Sequence, residues 1–322
     1  MTGTTEAITT MTERARETAR AGACVVLAGG IKPSPLASEA RSPVLDLWLG
    51  EGGSVLEHWL ERVSRASKPG APVRVVHDAK QPAPHAPGRA SGMAVSIVAE
   101  PRSYRGPAGI LADVCADLPE DSTVLLGDAA RWLSAAPSDL LEAHAARGAS
   151  VTVGVNADGS PAGLYALRAG ALACVPKKGF MDIKEQWLTR LRADGGEVWT
   201  HRFAGDGALP LRTREQFLEA ARLASGGEAP LAGRSVWDRA GGAGAWRAAS
   251  RDASVGEGTS IVESVVMPGA EVGSGAAVVR SILCPGSRVE AGEVVSAQVR
   301  IGRDGGRMTT HRGDPPAGGT RR

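Results

Sequence analysis

The chain has 322 residues, with 42 Gly, 20 Pro, 4% aromatic residues and 37 Lys+Arg set against 35 Asp+Glu. That length suits one large or two medium domains with cores of Val, Leu, Ala and Ile, and a net charge of +2 without a long basic block argues against a nucleic-acid partner. The four cysteines, Cys24, Cys115, Cys174 and Cys284, are far apart and form no CxxC or Cys/His cluster, which excludes a disulfide framework and a zinc site of ordinary spacing.

Residues 1–21 are polar and charged and read as a disordered or helical N-terminal arm. No apolar run approaches the length of a signal-peptide core or a membrane span, so the expectation is a soluble, cytoplasmic protein with no membrane partner. From there the pattern alternates. Strands are predicted at 24–27, 73–76, 95–98, 123–126 and 150–155, and helices at 55–64, 108–115 and 138–146. Alternation with short turns implies right-handed crossovers and therefore a doubly wound α/β domain over 22–225, with a mostly parallel sheet covered on both faces. Ligands of such sheets bind where loops leave the carboxyl ends of the strands. The candidate loops are 28–35, 100–109 and 127–130.

Residues 226–250 form a Gly/Ala-rich linker. Beyond it, VGEGTSIVESVVMPGAE at 255–271 and VGSGAAVVRSILCPGSR at 272–288 repeat in register, and a third partial copy begins at Val289. Aliphatics recur about every six residues at Val255, Ile261, Val266, Val272, Val278, Leu283 and Val289, with glycines between. This is the pattern of a parallel β-helix, in which stacked aliphatics face inward and glycines turn the corners, and it covers 251–301. The coils are expected to form a homo-oligomer interface or to dock on the α/β domain. Residues 302–322 read as a disordered tail.

Several short motifs sit at the strand ends. Leu27-Ala28-Gly29-Gly30 follows the first strand, with Lys32, Pro35-Leu36 and Arg41 close behind; Glu100 leads to Gly106-Pro107-Ala108-Gly109; Gly127-Asp128 ends a strand; and Ala162-Gly163-Leu164-Tyr165 follows. With hexapeptide coils downstream, this set resembles the sugar-1-phosphate nucleotidyltransferases over about residues 22–300, most closely the mannose-1-phosphate guanylyltransferase and glucose-1-phosphate nucleotidyltransferase type. The resemblance implies a Rossmann-like nucleotidyltransferase domain and a left-handed β-helix. It also implies NTP and sugar-1-phosphate, or the nucleotide-sugar, as partners. Leu27, Ala28, Gly29, Gly30, Glu100, Gly106, Ala108 and Gly109 would bind the nucleotide, Gly163 and Tyr165 the sugar, and Asp128 a Mg²⁺ ion.

The family pattern is incomplete here. The glycine turn lacks its G-T-R core and is two residues short, Ser42 stands where a phosphate lysine is expected, the E-K-P segment is absent, and Pro210 occupies the place of the second metal aspartate, with Asp206 a poor substitute nearby. Asp182 and Glu185 have the spacing of a helix capping box. Two readings follow. One is a divergent nucleotidyltransferase with Lys32, Arg41 and Arg105 as replacement cations and Asp128 holding Mg²⁺; the other is a protein of the same fold that binds a nucleotide or nucleotide-sugar without efficient turnover, as a regulatory or assembly subunit. A hexapeptide acyltransferase needs more coils and a catalytic histidine, and no His lies between His201 and His311.

Overall fold

The computed structural model describes residues 19–29, 33–87, 93–102, 104–225 and 246–302. Gly30 and Lys32 lie outside these, as do residues 1–18 of the N-terminal arm, 226–245 of the linker and 303–322 of the tail.

The first half of the chain gives β1 (Ala23–Leu27), α1 (Pro35–Ala40), β2 (Trp48–Gly50), β3 (Gly53–Ser54), α2 (Val55–Ala66), β4 (Pro72–His77) and β5 (Ala94–Ala99). It continues with α3 (Gly106–Val114), β6 (Thr123–Asp128), β7 (Arg131–Leu133), α4 (Pro137–Arg147), β8 (Val151–Val155) and β9 (Pro161–Arg168). A π-helical turn, Ile183–Trp187, then leads into α5 (Leu188–Ala193), followed by β10 (Val198–Arg202), β11 (Ala208–Pro210) and α6 (Arg214–Ala224).

Seven strands form the central sheet in the order β10-β8-β9-β6-β1-β4-β5. All pairings are parallel except those of β9, which runs antiparallel to both β6 and β8. The mostly parallel α/β architecture is therefore as the sequence implied, with one reversed strand that the alternation pattern does not signal. Two apolar layers cover the sheet: one face packs Trp59, Leu60, Leu140 and Phe217, the other Leu111, Leu126, Tyr165 and Trp187. That two-sided burial is why β1 and β6 read as unbroken aliphatic runs.

Helix α1 begins at Pro35, where the loop expected over 28–35 ends. Pro35 is its first residue, where a missing N–H costs nothing, and Ser34 Oγ accepts the Ala37 N–H at 3.2 Å. Helix α2 opens with a capping box in which Ser54 Oγ accepts from Glu57 N and Glu57 Oε2 accepts from Ser54 N.

The C-terminal strands are β12 (Arg247–Ala249), β13 (Ser254–Val255), β14 (Ser260–Val262), β15 (Ser264–Val266) and β16 (Glu271–Val272), then β17 (Ala277–Val279), β18 (Ile282–Leu283), β19 (Arg288–Val289), β20 (Val294–Ser296) and β21 (Val299–Arg300). They stack as three parallel ladders, β12-β15-β18-β21, β13-β16-β19 and β14-β17-β20, so the repeat read from the sequence is the rise of one β-helical coil. Ile261, Val266, Val272, Val278, Leu283 and Val289 are buried inside it. Val255 is not: β13 is the first strand of its ladder among the described residues, and Val255 is 42% exposed. Corners fall at Gly258, Gly275 and Gly292, all near φ +70°, while a second corner row, Glu263, Arg280 and Ala297, takes the left-handed conformation without glycine.

The first of these ladders faces the α/β domain. Val265, Met267, Ile282 and Cys284 share one apolar cluster with Leu36 of α1 and Phe217 of α6, and α1 lies against β21. Docking, one of the two roles expected for the coils, is thus what this face does.

His144 on α4 is 3% exposed, with its Nδ1 3.0 Å from Thr152 Oγ1. Burial, with Arg168 nearby, pushes its pKa from 6.5 down to about 4. Above pH 6.5 both folded and unfolded chains hold it neutral. As the pH falls from 6.5 towards 4 the unfolded chain takes up the proton first, and stability should drop by up to about 3 kcal/mol from this group. Urea unfolding across that range should show the loss in the wild type and a shallower one in His144→Gln.

Candidate functional site

The carboxyl ends of β1 and β6 lie side by side. Leu27 pairs with Asp128, the Ala129 N–H donates to the Leu27 carbonyl at 3.0 Å, and the Ala28 N–H donates to the Val76 carbonyl at 2.7 Å. They open into a cleft of about 710 Å³. It is lined by Leu27, Ala28, Gly29 and Asp128 at the strand ends, by Arg41 and Ser42 just after α1, and by Gln81, Pro82 and Pro84. Leu27, Ala28, Gly29, Arg41 and Asp128, singled out from the sequence, therefore share one cavity. Its ionisable lining among the described residues is Arg41, Asp128 and Arg212.

The geometry at Asp128 is set from behind. Gly127 leaves room for the Trp59 ring: a Cβ at 127 would lie 2.3 Å from Trp59 Cη2. The same indole donates its N–H to the Arg131 carbonyl at 2.8 Å, so one buried side chain of α2 fixes both ends of the 127–131 turn. On the other face Gly163 (φ +72°) is required for space, because a Cβ there would meet Arg131 Nε at 2.5 Å and Asp128 Cβ at 3.2 Å.

Asp128 faces cations. Its Oδ2 lies 3.6 Å from Arg131 Nε and 3.9 Å from Arg212 Nη2, and its Oδ1 accepts the Ala130 N–H at 3.1 Å. Arg131 starts β7 and Arg212 follows β11, and the two strands pair with Pro210 opposite Arg131. Arg212 is anchored through its backbone, with its N–H on Gln216 Oε1 at 2.9 Å and its carbonyl accepting from Leu36 N at 3.0 Å. Tyr165 sits behind Asp128, and burial together with that carboxylate pushes its phenol up to about 12. Buried Asp46, next to the lining residue Leu45, ties that side of the cleft to His85, accepting its backbone N–H at 2.8 Å with Nδ1 2.8 Å from Oδ2. Burial nevertheless raises the Asp46 pKa.

Other expected site residues lie elsewhere. Gly106, Ala108 and Gly109 are buried and do not line the cleft: the Ala108 N–H donates to the Met181 carbonyl at 3.1 Å, and a Cβ on Gly106 would meet that same oxygen at 2.6 Å. The helix start that looked open to a ligand is covered by residues 179–182. Glu100 stands over Gly29, where a Cβ would be 2.6 Å from its Oε1, and burial and the neighbouring Asp78 raise its pKa. Arg105 is not free to replace a phosphate cation. It is 3% exposed and bonds Asp113 through Nε at 3.0 Å and Nη2 at 3.1 Å and the Gly179 carbonyl through Nη1 at 3.0 Å. Asp182 does cap, accepting from Lys184 N and Glu185 N. Arg131, Arg212 and Trp59 were not read as site residues. Arg212 stands two residues after the Pro210 that was noted only for a missing carboxylate, and strand pairing alone reveals its neighbour.

Magnesium prefers near-octahedral oxygen ligands, with one or two carboxylates plus phosphates and water. Here one carboxylate is engaged by two guanidiniums, Pro210 offers no side-chain oxygen, and Asp206 is exposed at the far end of the β7–β11 pair, its carbonyl accepting from Ser134 Oγ. Among the described residues no group of three His, Cys, Asp or Glu could hold a metal. The residues described do not fit a magnesium centre.

No protein-family model matches the chain, and no curated protein does. Among solved structures, a Bacillus anthracis chain assigned as a glucose-1-phosphate thymidylyltransferase, in complex with sucrose, is 12% identical at a TM-score of 0.48, covering 63% of this chain and 94% of its own. HddC from Yersinia pseudotuberculosis is 12% identical at a TM-score of 0.49, covering 62% and 98% respectively.

Gly127→Ala would drive a methyl group into the Trp59 ring. It should cost about 1–3 kcal/mol, read as a lowered urea midpoint; an unchanged midpoint would contradict the seat described.

Proposed function

We propose that this chain is a nucleotidyltransferase-like protein that binds a nucleotide-sugar, or the NTP and sugar-1-phosphate from which one is made, in the cleft at the ends of β1 and β6, without efficient turnover. The carrying observation is the pairing of the Asp128 carboxylate with Arg131 and Arg212 in a cleft whose other ionisable lining residue, among the described residues, is Arg41. Nucleotidyl transfer would form a bond between a sugar-phosphate oxygen and the α-phosphorus of the NTP and expel pyrophosphate. Such chemistry depends on alignment and on neutralising charge that develops on phosphate oxygens. In nucleotidyltransferases Mg²⁺ supplies much of that neutralisation. Here arginines supply the positive charge and the second carboxylate is missing, so binding is favoured over transfer.

Guanidiniums suit phosphate because their planar forks donate in pairs and stay charged at all physiological pH values. Arg41 and Arg212 both line the cleft, together with Ala28 and Gly29 at the end of β1. The adjacency of Leu27-Ala28-Gly29 to Asp128 favours the second reading, an active and divergent transferase, since these are the floor positions the reaction would use.

The test is equilibrium binding of each NTP and of GDP-mannose and ADP-glucose, beside pyrophosphate release from NTP, Mg²⁺ and glucose-1-phosphate or mannose-1-phosphate. Binding without appreciable release is expected, and Arg41→Ala should weaken binding by about tenfold. Mg²⁺-dependent release that Asp128→Ala abolishes would establish the transferase reading instead, and absence of binding would remove both.

A further inference from the structure

We infer that the cleft holds the diphosphate of a nucleotide-sugar through arginines and without a divalent cation. The inference rests on the reading of the cleft as a nucleotide-sugar site. Three guanidiniums and one carboxylate lie in or beside the cleft: Arg131 and Arg212 face Asp128, and Arg41 lines the same cavity. The surplus of two positive charges matches the single charge on each phosphate of a nucleoside diphosphate sugar. A magnesium ion brought to the same place would add two more and would have to displace both arginines from its only carboxylate ligand.

The three cations differ in accessibility and so in role. The Arg131 side chain is 16% exposed and packed against Gly163, so it holds Asp128 and does not reach for a ligand. The Arg212 side chain is 63% exposed and rooted by backbone hydrogen bonds on both sides, to Gln216 and Leu36. Its only partner among the described residues is Asp128, at a distance that leaves its N–H groups available to phosphate oxygens. Arg41, also in the cleft lining, caps α1 with φ 51° and ψ 35°. A left-handed backbone costs a non-glycine residue roughly 1–2 kcal/mol, and the conformation places an arginine rather than a glycine at the cleft lining. Asp128 acts as a positioning residue: it draws Arg212 over the cleft floor and competes with the ligand for it.

Calorimetric titration of the full chain with ADP-glucose and GDP-mannose, in Mg²⁺ and in EDTA, tests this. The Kd of whichever binds should agree in the two buffers within about threefold, and Arg212→Ala, at an exposed position, should weaken it by about tenfold or more. Asp128→Asn should tighten binding by about threefold, because it frees Arg212. Weaker binding in EDTA beyond that margin, or Asp128→Asn binding no tighter than wild type, overturns the inference and leaves the cleft assignment standing. No binding of either compound in either buffer overturns the cleft assignment itself. Thermal melts of the variants separate loss of binding from loss of fold.

Discussion

The seat of Trp59 against Gly127 is the contact on which the site depends. A fully buried indole presses on the bare backbone of β6 and bonds the Arg131 carbonyl, so Asp128 and Arg131 emerge from a turn that cannot shift without opening the core. Interiors this closely packed transmit rather than absorb displacement. Gly163 completes the arrangement from β9 by leaving space for the Arg131 side chain. The carboxylate facing two guanidiniums is thus a product of packing on both faces of the sheet, and its charge balance is built in before any ligand arrives.

The β-helix extends that logic to the cleft wall. Helix α1 has only six residues and little capacity to hold its own place. It is held between the cleft and the coil ladder, with Leu36 in a cluster shared with Met267 and Cys284, while its Leu36 N–H fixes the Arg212 carbonyl. Two cations of the cleft, Arg41 and Arg212, are in this way braced by the C-terminal coils. Burial also pushes the Cys284 thiol up to about 12, as it does those of Cys24 and Cys115, so these cysteines serve as apolar filling.

Much of the fold was legible in the sequence because it is written in periodic signals. Alternating aliphatic and amphipathic runs gave the parallel strands and the helices that flank them, and the repeated glycines and aliphatics at 255–288 gave the coils. What escaped was non-periodic. β9 reverses direction within a segment whose Gly-Leu-Tyr residues carry no sign of orientation, and α1 hides behind two prolines that suit a helix start as well as a loop. The site was half legible. Local motifs located Gly29, Arg41 and Asp128 around one cavity. No local signal shows that Arg105 closes on Asp113, that residues 179–182 cover Gly106, or that Arg131 and Arg212 converge, since each depends on pairing across dozens of residues.

On the proposed reading, the cleft takes a nucleotide-sugar and guanidiniums stand in the charge balance where a metal would. A crystal structure of the protein grown with ADP-glucose or GDP-mannose and Mn²⁺ examines that claim most directly, because manganese reports its position by anomalous scattering. The account predicts diphosphate oxygens within hydrogen-bond distance of Arg212 and Arg41, and no manganese at Asp128. A manganese peak bridging Asp128 and the diphosphate, with Arg212 swung away, would contradict it.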